Sequence, residues 1–474
     1  MSETKQYPLV VDLDGTLIRS DLLIESFMLL IKDSLLNIFR VFFWLLKGKA
    51  VLKAEIARHV DVPVELLPYN LELIEFLKAE RARGRKIILA TASHVRYAHS
   101  VALHLGLFDD VLASDSNRNL SGTVKRAALT ERYGEKQYVY AGNAPVDLKV
   151  WDHCHQAIVV ADKALVKKAE KHCPIERHFE TPKPTLKVVL KALRVHQWVK
   201  NGLIFVPLLT AHLLHNPVAL VSSLMAFFAF SFCASSVYFL NDLLDLNDDR
   251  RHATKRNRPF AAGTLPLTVG LIGTPILLAM GAAICWFLPW EFTVVLAAYY
   301  LMTIAYSFKL KRVVMVDVIM LAALYTVRIV AGAAAVAVSL SFWLLSFSVF
   351  VFLSLAIVKR YTELMKLREK SVQKTLGRGY QVEDLELLSS LGGSSGYISV
   401  LVLALYINSG DVKGLYDQPQ LMWPVCLVML YWVSRIWIIA HRGNMDDDPI
   451  VFALKDRVSL VCGALIGMFM MLAV

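Results

Sequence analysis

Residues 241 to 263 read Asn241-Asp-Leu-Leu-Asp-Leu-Asn-Asp-Asp-Arg-Arg-His-Ala-Thr-Lys-Arg-Asn-Arg-Pro-Phe-Ala-Ala-Gly263. The stretch leaves an apolar run over 218–240 and precedes another that begins near Leu265, so four carboxylates and five Lys or Arg side chains stand at the mouth of a hydrophobic segment. On a continuous helix Asp242, Asp245 and Asp249 fall at i, i+3 and i+7 and share one face. Like charges on one face repel, and hard carboxylate oxygens suit Mg²⁺, which bridges a few carboxylates to substrate phosphates. Arg250, Arg251, Lys255, Arg256 and Arg258 are then placed to grip those phosphates. The plainer reading is a solvated charged loop between two membrane helices.

Working outward, the chain has 474 residues, is 56% hydrophobic and has a mean hydropathy of +0.49, which is too apolar for an ordinary soluble protein. The net charge of +11 reads more naturally as basic loops on one side of a membrane than as a nucleic-acid surface, and no nucleic-acid partner is expected. Six cysteines are scattered without a Cys-x-x-Cys, so neither a disulfide framework nor a zinc site is expected. Adjacent side chains in His153-Cys154-His155 point apart and do not make a metal site. No signal peptide is expected at the N-terminus, where Pro8 to Val11 reads as a strand.

Residues 1–180 read as a soluble α/β domain. Tyr7-Pro-Leu-Val-Val-Asp12-Leu-Asp14-Gly-Thr16-Leu is a short buried strand that ends in paired carboxylates and a turn. The C-terminal end of a strand is where open α/β sheets place their sites. Two carboxylates there can divide roles, one attacking phosphorus and the other moving protons. A second run, Lys86-Ile-Ile-Leu-Ala-Thr91-Ala-Ser93, ends in hydroxyls; Lys125 opens a helix after Gly122; Gln137-Tyr-Val-Tyr-Ala-Gly142-Asn143-Ala-Pro-Val-Asp147 closes the set. Together these motifs resemble the haloacid dehalogenase (HAD) phosphohydrolase family. The resemblance implies a Rossmann-like domain with Asp12 as nucleophile and Asp14 as acid/base. It also implies that Thr91 and Lys125 hold the phosphoryl group, and that Asp12, Asn143 and Asp147 bind Mg²⁺. Asn143 stands where the family usually has an aspartate, which weakens metal binding while leaving an amide carbonyl to ligate.

Residues 18–85 lie where that family places a cap, here helical by pattern. Within it, 22–46 is unusually apolar, but Glu25, Lys32, Asp33 and Arg40 interrupt it, so it does not span. Two readings stand: an interfacial amphipathic helix, or a cap helix packed on its own domain. Residues 181–197 read as a linker and a basic helix leading into a membrane domain over 198–474.

Nine apolar runs, near 201–215, 218–240, 265–288, 291–308, 314–338, 341–358, 388–408, 421–440 and 457–474, predict an all-α polytopic domain of about nine transmembrane helices. Alternate loops hold the basic residues: 250–258, Lys309 to Arg312, 359–378 and 435–457. The opposite loops hold Lys413 alone. This asymmetry places the soluble domain and the aspartate loop on the cytoplasmic side of a bacterial inner membrane, with the C-terminus outside. A second polar group follows the run at 291–308: Tyr306, Lys311, Asp317, Arg328 and Gly332. Asp317 and Arg328 are about three turns apart on one face, and ionisable residues at such positions are functional candidates.

Asn-Asp-x-x-Asp-x-x-x-Asp with Lys255, Arg258 and Pro259 resembles the first aspartate motif of the UbiA superfamily of membrane transferases, which implies a diphosphate-bearing substrate bound through Mg²⁺. The superfamily's usual second aspartate, four residues after Asp317, is Leu321 here. Gln197-Trp-Val-Lys200-Asn201 and Lys359-Arg360-Tyr361-Thr-Glu363-Leu364, with Gly377-Arg-Gly-Tyr380 after them, look most like the branch of polyprenyl-phosphate phosphoribosyltransferases such as the decaprenyl-phosphate enzymes. That resemblance implies 5-phosphoribosyl-1-diphosphate (PRPP) as donor and a polyprenyl phosphate as acceptor. Asp242, Asp245 and Asp249 would then hold Mg²⁺, with Asp242, Asp245 and Asp317 in the chemistry. Asn241, Lys200, Lys255, Arg258, Tyr306, Lys311, Arg328, Lys359, Arg360, Tyr361 and Glu363 would hold substrate. The fused HAD domain would remove the 5-phosphate of the product. The alternatives are an aromatic prenyltransferase with a polyprenyl diphosphate donor, and a non-enzymatic membrane anchor for a HAD domain. An oligomer is compatible with either, and Asp446-Asp-Asp448-Pro449 and Lys455-Asp-Arg457 have no assigned role.

Overall fold

A computed structural model describes residues 6–181, 183–369, 378–410, 416–446 and 448–474; Gly377, Lys413 and Asp447 lie outside them. The chain divides into two compact units. One joins Met1–Leu193 to Tyr238–Thr274, and the other joins Arg194–Val237 to Pro275–Val474. The aspartate loop therefore belongs to the same unit as the soluble domain.

The first unit is built on a parallel sheet of order β3-β2-β1-β4-β5-β6: β1 Leu9–Val11, β2 Ile87–His94, β3 Asp110–Ser114, β4 Val139–Gly142, β5 Gln156–Ala161 and β6 Ile175–Glu180. Helices cover both faces, so β1, β2 and β4 are near-continuous apolar runs rather than alternating ones. β1 pairs with β2 on one side and β4 on the other, Val10 standing opposite Ile88 and Tyr140. Strand order reverses there, and the crevice at the strand ends collects Asp12, Thr91 and Asn143. The cap holds α1 Leu22–Asp33, α2 Asn37–Leu46 and α3 Lys49–His59, and α4 Leu71–Ala82 leads back to the sheet. Asp21 caps α1 by accepting from the Ile24 amide at 3.0 Å.

The second unit is helical. Across the chain, seven helices among the described residues are long and apolar enough to cross a membrane. They are Pro217–Leu244, Leu267–Cys285, Trp290–Phe308, Val316–Ala335, Phe342–Glu369, Val382–Ile407 and Pro419–His441. Pro449–Lys455 and Arg457–Ala473 make an eighth only as one broken span bent by 80°. The expected count of nine is thus corrected to seven or eight. The run at 201–215 is no span: Val195–Phe205 is a 3₁₀ segment and Val206–Thr210 a short α-turn opened by Pro207. The segment carries buried Lys200 and Asn201 and lies so close to Val316–Ala335 that a Cβ on Gly332 would collide with the Ile204 carbonyl. Asp448 and Asp456 cap the two halves of the bent pair, which gives part of the 446–457 cluster a structural task.

Backbone cannot retreat from the Gly332 contact as a flexible side chain could. Gly332→Ala is expected to cost about 1–3 kcal/mol by overpacking. Thermal unfolding of the detergent-solubilised chain should shift down by several degrees; an unchanged midpoint would contradict the close approach.

Candidate active sites

At the end of β1 the Asp12 amide donates to the Ala141 carbonyl of β4, which fixes the direction of the following turn. Lys125, from helix Thr123–Tyr133, donates to Asp12 Oδ1 at 2.7 Å and to the Tyr140 hydroxyl at 2.9 Å. Tyr140 passes the chain on to Asp147 at 3.0 Å, and the backbone amides of Asn143 and Ala144 also donate to Asp147. Asp14 accepts from the Leu22 amide at 2.8 Å and from Ser93 at 2.6 Å. Burial, then the Asp21 charge, push Asp14 up to about 7, so it can carry a proton near neutrality. The expected residues Asp12, Asp14, Lys125, Asn143 and Asp147 therefore meet in one crevice. Thr91 is fully buried, accepting from the Ser93 amide and standing 3.5 Å from Asp14.

Two features of the crevice bear on a metal. Asn143 Oδ1 accepts from Thr16 at 3.1 Å. Burial, then the Asp12 charge, hold Asp147 above the ordinary carboxylate range. Two crowded carboxylates and an amide carbonyl, only partly offset by one lysine, are a hard-oxygen donor set that fits Mg²⁺.

In the aspartate loop the helix does not run on as the spacing suggests. Pro217–Leu244 ends just before Asp245, which takes φ −102° and ψ 15°, and Leu246–Arg251 starts a new helix. Asp242 and Asp249 converge on Arg258, at 3.1 and 2.7 Å. Asp245 and Asp248 accept from Lys32 of α1, at 3.1 and 2.7 Å. Among the described residues no three His, Cys, Asp or Glu side chains stand together as a metal group. Asp242 and Asp249 thus share one cation, while Asp245, in the turn between the two helices, is held by Lys32. Burial, against the pull of Arg258, holds Asp249 up to about 6. Two buried carboxylates gripping one cation fit a divalent ion as well.

Arg250, expected at phosphate, is engaged elsewhere. It donates to Glu25 of α1 at 3.0 and 2.6 Å and to the Ala261 carbonyl at 3.0 Å. Glu25 is also bound by Ser20. Lys255 is exposed and Asn241 half-buried in the same loop.

Among the described residues of the second unit, three polar groups take in expected site residues. Asp317, fully buried, is bound by Arg360 through two nitrogens and by the Tyr306 hydroxyl at 2.7 Å; Arg360 goes on to Glu363 at 2.8 Å, which also binds Arg378. The partner of Asp317 is thus Arg360, and Arg328 faces another way. Arg328 donates to Asn201 at 2.9 Å and Tyr299 at 3.3 Å, and lies over the rings of Phe230, Tyr299 and Tyr325. The third group joins Lys200 and Lys359 through Asp448, with Lys359 at 3.5 Å. Tyr361 bonds His441 at 3.0 Å, and Lys311 lies half-buried in a short 3₁₀ turn.

Sequence reasoning missed Lys32, Glu25, Ser93, Tyr140 and Asp448. Glu25 and Lys32 showed only as charges that break an apolar run. Ser93 had a signal, the hydroxyl two residues after Thr91 at a strand end.

A model of the UbiA prenyltransferase family matches residues 203–375, and one of haloacid dehalogenase-like hydrolases matches 9–151. The y4nM protein of Sinorhizobium fredii is 36% identical over 98% of this chain and 90% of its own length. The decaprenyl-phosphate phosphoribosyltransferase of Mycobacterium tuberculosis is 36% identical over 57% of this chain and 88% of its own. A structure of a UbiA homolog from Archaeoglobus fulgidus bound to GPP and Mg²⁺ is 15% identical, covering 60% of this chain and 99% of that one, with a TM-score of 0.47.

The Glu25–Arg250 side chains are 1% and 6% exposed. Removing one partner of such a pair costs about 3–5 kcal/mol because a buried charge is left unmatched. Glu25→Gln is expected to speed amide exchange selectively across 241–263. Equal exchange in both proteins would show that the pair does not hold the loop.

Proposed function

This chain belongs to the UbiA prenyltransferase family and carries an N-terminal haloacid dehalogenase-like hydrolase domain, and on that footing we propose that it moves 5-phosphoribosyl from PRPP to a polyprenyl phosphate. The C1–O bond to diphosphate breaks, a C1–O bond to the lipid phosphate forms, and diphosphate leaves. The lipid phosphate is already an anion and needs no general base.

The carrying observation is the state of Asp317. Leu321 stands where a second aspartate would help hold metal, and Asp317 itself is saturated by Arg360 and Tyr306. A second metal-binding carboxylate pair is replaced by a cation. Lys200, Lys359 and Arg328 add positive charge in the same unit. PRPP carries a 5-phosphate besides its diphosphate and the acceptor carries a third phosphate, so this substrate set uses more cations than a prenyl diphosphate and an aromatic ring. The likeness to the phosphoribosyltransferase supports the same reading. Asp242 and Asp249, which share Arg258, would hold Mg²⁺. When bound, that ion neutralises charge on the departing diphosphate. Arg258 then turns from the two carboxylates to phosphate oxygens, and Lys255 and Asn241 line the loop. The asymmetry of the basic loops supports a site on the cytoplasmic face of a bacterial inner membrane.

In the soluble domain, Asp12 attacks the phosphorus of the lipid-linked 5-phosphate. Asp14 gives its proton to the departing 5-oxygen and afterwards takes one from the water that hydrolyses the aspartyl phosphate. Lys125 steadies the transferring group, and Asp12, Asn143 and Asp147 would hold Mg²⁺ there.

With purified chain, Mg²⁺, ribose-labelled PRPP and a polyprenyl phosphate, label should pass into the lipid phase. Asp242→Asn should lower that transfer by about 10²-fold or more. Asp12→Asn should leave label in lipid but accumulate the phosphorylated product; dephosphorylated product from that variant would remove the hydrolase step. No label in lipid across several chain lengths would turn the assignment to a prenyl diphosphate donor and an aromatic acceptor, the family's named chemistry.

A further inference from the structure

Eight of the twelve residues from 35 to 46 are large apolar side chains more than 40% exposed, among them Leu36 at 72%, Phe39 at 66%, Phe43 at 63% and Leu46 at 70%. They fall on and around α2, which is held to its domain by another face. Asn37, Val41 and Trp44, at i, i+4 and i+7, face inward. Asn37 donates to the Leu30 carbonyl at 2.9 Å, while Val41 and Trp44 pack on Leu30, Leu52 and Ile56. Leu36, Phe39, Phe43 and Leu46, at i, i+3, i+7 and i+10, form the opposite stripe. A cap helix that served only its own core would not keep two phenylalanines and two leucines outward.

The rest of the unit says what covers that stripe. Lys32, near the end of α1, holds Asp245 and Asp248, which begin one residue after the membrane-spanning helix Pro217–Leu244 stops. Four residues join Lys32 to α2, a reach of roughly 18 Å at full extension. α2 thus starts close to the end of a membrane-spanning helix. Its ten residues give a length of about 15 Å, half a hydrocarbon core, so it cannot cross. From Ser34 to Ala54 the sequence holds Arg40, Lys47, Lys49 and Lys53 and no acidic residue. Arg40, Lys47 and Lys49 are exposed, a charge suited to anionic headgroups.

We propose that α2 is an interfacial anchor lying in the bilayer surface of the leaflet on which the aspartate loop opens. Its Leu36–Phe39–Phe43–Leu46 stripe enters the acyl boundary, and Arg40, Lys47 and Lys49 meet anionic headgroups. The consequence reaches the soluble pocket. Gly48 (φ +108°) turns α2 into α3, and α3 carries Lys53, which donates to the Ala92 carbonyl at 2.6 Å and to Asn119 at 2.8 Å, beside Ser93 and Asp14. The anchor therefore holds the rim of the phosphohydrolase-like crevice against the lipid surface and favours phosphate esters that sit in the membrane. This inference needs only the membrane spans and stands apart from the identity of the transferred group.

The test uses the full chain in nanodiscs of mixed anionic and zwitterionic phospholipid. The native cysteines are all buried, so an environment-sensitive fluorophore can be placed on Phe43→Cys and, as reference, on Lys78→Cys of exposed α4 surface. Phospholipid spin-labelled at acyl carbon 5 should quench the probe at 43 at least two-fold more than at 78. Arg40→Glu/Lys47→Glu/Lys49→Glu in the Phe43→Cys background should reduce that quenching most in anionic discs. Equal quenching at 43 and 78 would overturn the proposal. So would cross-linking of probe positions 43 between two chains without lipid quenching, which would assign the stripe to a second copy.

Discussion

The buried pairing of Glu25 with Arg250 is the contact on which the aspartate loop depends. Alone, residues 241–263 are a run of opposing charges that water would solvate in many conformations. Glu25 takes the Arg250 guanidinium through two nitrogens, and the same guanidinium closes on the Ala261 carbonyl, so one side chain ties the middle of the loop and its C-terminal end to α1. A Cβ on Gly263 would meet the Arg19 backbone, and its φ of +67° is open to glycine. Desolvating two ions costs several kcal/mol each, so the pair contributes a single loop geometry more than net stability.

The same rule governs five further carboxylates. Asp242 and Asp249 share Arg258, Asp317 has Arg360, Asp448 has Lys200 and Lys359, and Asp12 has Lys125. Each anion rests against a cation that is itself a phosphate ligand by chemistry. A metal ion and a phosphate arriving together can take the places of guanidinium and carboxylate without leaving a buried charge unmatched. On the proposed reading, lysine and arginine would then neutralise substrate in place of the protein's own carboxylates. Arg360 differs in degree: Asp317, Tyr306 and Glu363 surround it, so it orders the helices Val316–Ala335 and Phe342–Glu369 and sets where Tyr306 points.

The turn after β1 touches both candidate sites of the first unit. Asp14 is fixed by the Leu22 amide at the start of α1; Ser20, two residues earlier, binds Glu25; and Glu25 binds Arg250. Twelve residues of sequence, Asp14 to Glu25, thus connect the crevice at the strand ends to the aspartate loop through hydrogen bonds and the short backbone stretch between them. A soluble domain fused to a membrane transferase is here a built part of the transferase's own loop.

By itself the sequence determined whatever repeats locally or rests on residue type. The apolar strand ending in Asp12 and Asp14 made the parallel sheet and its crevice legible. Long apolar runs marked seven spanning helices, and Asp242, Lys200 and Lys359 were legible as charges that a membrane segment does not hold without purpose. Tertiary structure decided which charge meets which. Arg328 and Arg360 read alike as cations on membrane helices, yet only Arg360 reaches Asp317, because helix packing, and not spacing along one helix, brings residues 43 positions apart together. The apolar run at 201–215 reads in the sequence as one of the spanning helices. Packed against Gly332, it is a 3₁₀ segment whose polar groups find partners inside the bundle. Glu25 and Lys32 were unreadable as site residues for the same reason: their partners lie more than 200 positions away, and a buried charge declares its role only through the charge that folding sets opposite it.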